Sequence, residues 1–363
     1  MSIKIFLQSK FKKISYFLFS FIYPKIKKSI NVEEDSRIEV NKIFQEDGLM
    51  YEVFTIPNGR LYTDTIHDTA VILEDRLIKE ASFQLRDNKN SASNNNIVFS
   101  KGTSRLQKKI KGTVLSLLTG GGGNNNYWHW LFDVLPRIEL SKLRKNSEYV
   151  THYLFPNLET KFQRETLDLL EIKKDQRLSS KIFRHIAADK LIITSHPHVL
   201  KDVDEKNETI PVWIIKFLQN SFLKKIKSKS FPKKIYIDRK DSKFNLKQTR
   251  AINNEEEVVN CLNKKGFKKI SLSEHSFIDQ VSIFNNADII AGLHGSGFSN
   301  IVFSKKGVKV LEFKSEKTGN VIKNLAKNCK LNHISIVGDL IKPAPNQQGL
   351  INININSLTD KIN

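Results

Sequence analysis

Cysteine is nearly absent: Cys261 and Cys329 are the 2 cysteines among 363 residues. They stand far apart in segments with helical spacing, so neither a disulfide framework nor a thiolate metal site is available, and a reducing compartment is the simpler inference. Proline (9) and glycine (16) are scarce beside 23 phenylalanines, which excludes collagenous and disordered chains. No run approaches the roughly 20 apolar residues that span a bilayer. Acidic residues are missing from the first thirty positions altogether.

What is present suits a packed protein. With 39% hydrophobic and 27% charged residues over 363 positions, the size favours two domains. Lys and Arg number 59 against 38 Asp and Glu, a net charge of +21. Such an excess favours polyanionic partners, whether phosphates, anionic lipid or nucleic acid. Lys, Ile and Asn are abundant along the whole chain, so general composition is a second source of the excess.

The acid-free N-terminus carries the apolar stretch ISYFLFSFIY (14–23) between Lys10, Lys12 and Lys13 on one side and Lys25, Lys27 and Lys28 on the other. An apolar wedge inside a polybasic collar predicts that residues 1–30 bind an anionic membrane surface without crossing it. A cleavable signal needs small residues where Tyr23-Pro24-Lys25 stands. An ordinary first helix and a signal of unusual form are the alternatives.

Residues 50–85 alternate as strands do, and Glu74-Asp75 between two apolar runs predicts an antiparallel hairpin. NKNSASNNN (88–96) reads as an exposed loop. VLSLLTG (114–120), HYLFP (152–156) and KLIITS (190–195) read as strands, separated by helical runs near 126–144 and 160–171. In the last third, KKIYIDR (233–239), FKKISL (267–272), ADIIAGLHG (287–295), VKVLEFK (308–314) and NHISIVG (332–338) alternate with three helical segments. Alternation of this kind predicts an α/β fold with parallel sheets. The expected organisation is a membrane-associating segment (1–30), an N-terminal α/β domain opened by the hairpin (31–209), a connecting helix and linker (210–231), and a C-terminal Rossmann-like domain (232–363).

Two Gly-rich turns follow strands and open helices. In LHGSGFSNIVF, Gly295 and Gly297 allow backbone N–H groups to approach an anion at a helix N-terminus. His294 falls at the carboxyl edge of its strand, where ligands of open α/β sheets bind, either to contact a diphosphate as a cation or donor or to cap its own loop. Ser296 and Ser299 offer hydroxyls, and Asn300 offers an amide that serves ligand or packing equally well. Arg239 and Arg250 project from strand-to-helix connections and suit a diphosphate clamp, or are solvated cations among many. Glu312, in an otherwise apolar strand, needs a hydrogen-bond partner if buried, and a ribose hydroxyl pair is the expected one.

The other turn is TGGGGNNNYWHWLFDVLPRIE (119–139). There His129 and Asp133 are four apart on one helical face and can act as a base and its orienter. The competing reading pairs Asp133 with Arg137 and packs His129 among tryptophans. Two such turns in two domains predict a ligand cleft between the domains. Asp202 and Asp204 form an Asp-x-Asp inside a charged loop and read as surface, so no metal site is expected.

NNNYWHWLFDVLPRI, followed far downstream by DIIAGLHGSGFSNIVF and then VLEF, resembles glycosyltransferase family 61 over residues 50–340. The resemblance implies a GT-B-like fold, two facing Rossmann-like domains with the donor mainly on the C-terminal one. It also implies inverting transfer from a nucleotide sugar, most often a UDP-sugar, to a hydroxyl of a glycan or lipid-linked glycan in surface polysaccharide biosynthesis, with no metal or other cofactor. Matched position by position, Asn126, His129 and Asp133 fall near the reacting sugar, and His294, Gly295, Gly297 and Asn300 around the nucleotide diphosphate. Arg239 and Arg250 match basic positions on the nucleotide side. Ser296 stands where the family usually has alanine. Asp133 is the expected base, because His129 in a basic site becomes partly protonated, leaving His129 to orient it or to touch the acceptor. A lipid-linked acceptor and a nucleotide sugar meet at the cytoplasmic face of the cell membrane, which is the expected location. Two other classes compete: a nucleic-acid-binding protein, disfavoured because no stacking motif or basic recognition helix accompanies the lysines of 224–234, and a catalytically silent scaffold of a polysaccharide assembly complex.

Overall fold

The computed structural model describes residues 14–362, apart from 47, 67, 83–84, 87–88, 91–94, 120–122, 146–148, 199–207, 228, 240–249 and 344–348. By contact the chain divides into two compact units: Met1–Thr160 with Glu171–Lys201, and Lys161–Leu170 with Asp202–Asn363. The loop expected at 88–96 and the Asp202-x-Asp204 stretch fall wholly or partly outside the described residues.

Unit 1 starts with helix α1 (14–22). Its strands are β1 (Lys28–Ile30), β2 (Glu39–Glu46), β3 (Leu49–Pro57), β4 (Arg60–Thr63), β5 (Thr69–Leu73), β6 (Arg76–Ile78), β7 (Leu85–Arg86), β8 (Lys89–Asn90), β9 (Lys108–Ser116), β10 (His152–Phe155), β11 (Arg177–Ser179) and β12 (His185–Thr194). Helices α2 (Ile97–Lys101), α3 (Tyr127–His129) and α4 (Pro136–Lys142) complete it. Among the described residues, ten strands make one sheet in the order β1-β6-β5-β4-β12-β9-β10-β11, with β3 also on β12 and β2 on β3.

β9 to β12 run parallel to their neighbours within that group, whereas β3 and β4 both lie antiparallel along one edge of β12. The sheet is therefore mixed, which departs from a Rossmann-like N-terminal half. Glu74-Asp75 does turn β5 into β6, with Glu74 at φ 59°, but as two strands of the larger sheet. β5 (TAVIL) is buried at every position, as an interior strand must be.

His185 opens β12 between the rings of Tyr23 (4.8 Å) and Tyr62 (5.7 Å), and its Nδ1 donates to the Arg105 carbonyl at 2.8 Å. Nε2 is buried with no hydrogen-bond partner among the described residues. Burial therefore pushes the imidazole down from 6.5 to about 4. The unfolded chain takes up a proton as pH falls through 6.5 and the folded chain does so only near 4, so this contribution to stability is full above pH 6.5 and lost below it. The loss from this residue reaches about 2 kcal/mol by pH 5. In His185→Phe the shift of the urea midpoint between pH 7 and pH 5 should shrink accordingly; an unchanged shift would refute the assignment.

Unit 2 comprises α5 (Lys161–Leu169), α6 (Val212–Phe222), β13 (Lys234–Asp238), β14 (Arg250–Ile252), α7 (Glu255–Lys264), β15 (Lys268–Ser271), α8 (Phe277–Asn286), β16 (Ile289–Leu293), β17 (Lys309–Lys314), α9 (Val321–Asn328), β18 (Asn332–Val337), β19 (Asp339–Pro343), β20 (Gly349–Asn352) and α10 (Ile355–Ile362). α5 belongs here by contact, its Glu165 accepting the Phe277 N–H at 2.7 Å. Local signals set the helix ends: Gly266 at φ 84° follows α7, and the Ser276 hydroxyl accepts the Asp279 N–H at 3.2 Å ahead of α8.

Five parallel strands form the main sheet in the order β15-β13-β16-β17-β18. In chain order this is a doubly wound sheet whose direction of growth reverses between β13 and β16. Arg239 follows β13 and His294 follows β16, so both stand at the carboxyl edge of that switch point. The helix after β16 is a 3-10 helix (Ser296–Phe303), tightened by bonds such as Phe298 N–H to Gly295 O at 3.0 Å.

Candidate active site

In unit 1 the run from Tyr127 to Lys142 is broken by Pro136, which has no N–H for the carbonyl one turn back. The chain answers with a π turn over Trp130–Val134, closed by Leu135 N–H to Trp130 O at 3.1 Å. Single π turns of this kind recur at functional sites. Asn126 caps the run, its side chain accepting the Trp128 N–H at 2.9 Å.

Asp133 lies inside that turn and is 5% exposed. One carboxylate oxygen takes His129 Nδ1 at 2.8 Å and the other takes His198 Nε2 at 2.6 Å. His196 Nε2 stands 3.9 Å from the first oxygen. Burial alone would raise the Asp133 carboxyl, but the His129 and His198 imidazoles outweigh it and hold the group well below the usual range. Arg137 bonds the Asp133 backbone carbonyl at 2.9 Å rather than the carboxylate, and burial lowers its guanidinium to about 10 against the pull of Asp133. Burial likewise keeps His196 well below its ordinary value, hence neutral near pH 7. Of the three imidazoles around the carboxylate, His129 is the most exposed, at 30%.

In unit 2 the corresponding cluster centres on Glu312. Its side chain is wholly buried, with one oxygen bonded to His294 Nδ1 and the other to His333 Nε2 at 2.7 Å. Burial would raise this carboxyl, yet the two imidazoles bring it down to about 2. His294 is lowered by its own burial despite Glu312, so it is neutral near pH 7 with Nδ1–H directed at the carboxylate. Its backbone carbonyl accepts from Arg239 Nη1 and from Arg250 Nη1, the latter at 3.3 Å. Burial and the neighbouring Arg239 lower Arg250 to about 10, and its Nε has no hydrogen-bond partner among the described residues. Arg250, His294, Lys314, Ser315 and Thr318 line a small recess at this edge.

The family model described as Glycosyltransferase 61 matches residues 127–311, which is 185 of the 363 residues. The chain belongs to glycosyltransferase family 61. No curated protein matches it. The matched span opens on α3 and closes within β17, so it holds the His129, Asp133, His196 and His198 group together with Arg239, Arg250 and His294.

Several residues of this family member stand otherwise than the sequence suggested. Asp133, expected as the base, is buried with both oxygens on imidazoles, whereas His129 is the partly exposed member of the pair. Glu312, expected at a ribose, is enclosed by two imidazoles and supports His294 instead. Asn300 is fully buried and bonds Gln280 at 3.2 Å and the Gly297 carbonyl at 3.3 Å, a packing role. A Cβ at Gly297 would meet Leu272 at 3.1 Å and Ile237 at 3.4 Å, so that glycine serves packing beneath the turn. Gly295 and the exposed Ser296 remain at the edge, with Arg239 pressed against Gly295. His196, His198 and His333 were missed, although the His-x-His directly after KLIITS was a visible signal. Among the described residues no group of three His, Cys, Asp or Glu could hold a metal ion.

Proposed function

We propose that this family 61 member is an inverting glycosyltransferase, moving a sugar from a nucleotide diphosphate, UDP foremost, to a hydroxyl of a glycan or lipid-linked glycan in surface polysaccharide biosynthesis. Unit 1 supplies the base and unit 2 takes the donor. Asp133 fixes the His129 tautomer, so Nε2 takes the proton from the acceptor hydroxyl as that oxygen bonds to the anomeric carbon. The bond from that carbon to the diphosphate breaks on the opposite face, and its electron pair leaves with the diphosphate. Arg239 and Arg250 take up the charge that develops there. His294, neutral and donating through Nδ1 to Glu312, offers Nε2 as an acceptor for a hydroxyl of the donor.

The observation that carries this reading is the convergence of two guanidiniums on one carbonyl at the switch point of a doubly wound sheet. Like charges so placed call for an anion, and a diphosphate supplies one in the right shape. Thermal unfolding of the full chain with UDP, GDP, ADP and UMP tests it. A nucleoside diphosphate at 100-fold its Kd should stabilise the fold by about 2.7 kcal/mol, with UMP well behind. Failure of every diphosphate to stabilise would overturn the donor site. Donor turnover should survive a chelator, and the product should carry the inverted anomeric configuration.

A further inference from the structure

Among the described residues, helix α1 meets unit 1 through one face. Just past it, the Tyr23 hydroxyl accepts the Gln107 N–H at 2.7 Å, and its ring lies 4.8 Å from His185 and 6.0 Å from the Arg60 guanidinium. Phe19 stacks on Tyr23 at 6.1 Å, and Tyr16, Phe19 and Tyr23 are all half-buried, at the spacing of one helical face.

The opposite face is apolar and open. Ile14, Phe17, Leu18 and Phe21 repeat at i, i+3, i+4 and i+7, joined by Ile22, with exposures of 59%, 65%, 56%, 74% and 58%. A helix laid on a soluble body turns its polar side to water, and this one turns phenylalanine. Lysine frames the stripe. Lys25, Lys27 and Lys28 are exposed, Lys27 also pairing with Asp75 at 2.6 Å, and the sequence places Lys10, Lys12 and Lys13 ahead of it with no acid in the first thirty positions.

We propose that this face of α1 is a docking surface for an anionic lipid bilayer, with the helix in the plane of the interface, Phe17 and Phe21 in the acyl boundary, and the lysines at the headgroup phosphates. This goes beyond the donor chemistry and does not depend on it. At 1.5 Å per residue the described turns of α1 fall far short of a hydrocarbon core about 30 Å thick, so the helix lies on the surface. Among the described residues no helix is long and apolar enough to cross a membrane. Charge selects the occupant: a second copy would set lysine against lysine on a chain of net charge +21, whereas anionic headgroups complement it.

The test is sedimentation of the full chain with vesicles of phosphatidylcholine alone or with added phosphatidylglycerol. The wild type should bind the anionic vesicles about tenfold or more tightly than the neutral ones. A variant combining Phe17→Glu and Phe21→Glu should lose that binding, again about tenfold or more, because both apolar anchors are gone. Both residues are exposed, so its circular dichroism, unfolding midpoint and stabilisation by UDP should match wild type. Sedimentation of the variant like wild type, equal binding to both vesicles, or a wild-type dimer that the variant splits and that ignores vesicles would each overturn the proposal. Loss of UDP stabilisation in wild type would instead strike the donor reading alone.

Discussion

His129→Gln should lower turnover by about 10²-fold or more, the usual worth of a general base, while leaving UDP binding and the unfolding midpoint close to wild type. The stability forecast follows from exposure: the His129 side chain is 30% exposed and gives up one bond to Asp133. Asp133→Asn should also cost turnover, but for another reason and with a second signature. The carboxylate accepts from two imidazole nitrogens at 2.8 and 2.6 Å, whereas an amide presents one acceptor and one donor. One imidazole must change tautomer or go unsatisfied, at about 1–3 kcal/mol of stability. Imidazole added to the medium separates the roles. It should restore part of the turnover of His129→Gly, where the base is missing, and none of Asp133→Asn, where only the orienter is altered. Turnover of His129→Gln within about tenfold of wild type would remove His129 as the base.

The sequence carried the His129 and Asp133 pair, because spacing of four is a local property. It did not carry their surroundings. Those depend on burial and on His198, which follows the end of β12 and is distant in the chain. Pro136 was visible inside the helical run, and with it the ground for the π turn. In unit 2 the alternation was enough to read the parallel sheet, since each strand and helix announces itself locally. The partner of Glu312 was beyond reach for a different reason: register. β17 pairs with β18 so that Glu312 is opposite Ser335, which sets His333 two residues along on the same face. A carboxylate in an apolar strand signals that some partner exists, but a one-residue slip would have turned His333 away. Unit 1 shows the limit most plainly. β3 and β4 join β12 across more than a hundred residues, and nothing in their alternation distinguishes a ten-stranded mixed sheet from a small hairpin.

Gly295→Ala should weaken UDP binding by about tenfold or more while leaving the unfolding midpoint nearly unchanged, and Gly297→Val should do the reverse. At Gly295 a Cβ would fall 2.5 Å from Arg239 Nη1 and 2.9 Å from Cζ, so the guanidinium must leave its place on the His294 carbonyl. The backbone does not resist the change, because φ at Gly295 is 165°, an extended value open to any residue. What moves is the free end of a side chain, cheap for the fold but costly for a charged hydrogen bond to phosphate, worth about 1.5–3 kcal/mol. At Gly297 the added atoms would press on Leu272 and Ile237 beneath the turn, and such overpacking costs about 1–3 kcal/mol of stability. Arg239→Ala completes the argument. If Gly295→Ala acts by displacing that guanidinium, the double variant should bind UDP no more weakly than Arg239→Ala alone, a strongly non-additive cycle. Additive losses would mean that the Gly295 N–H itself meets the ligand, and the phosphate would then sit at the turn rather than on the arginines.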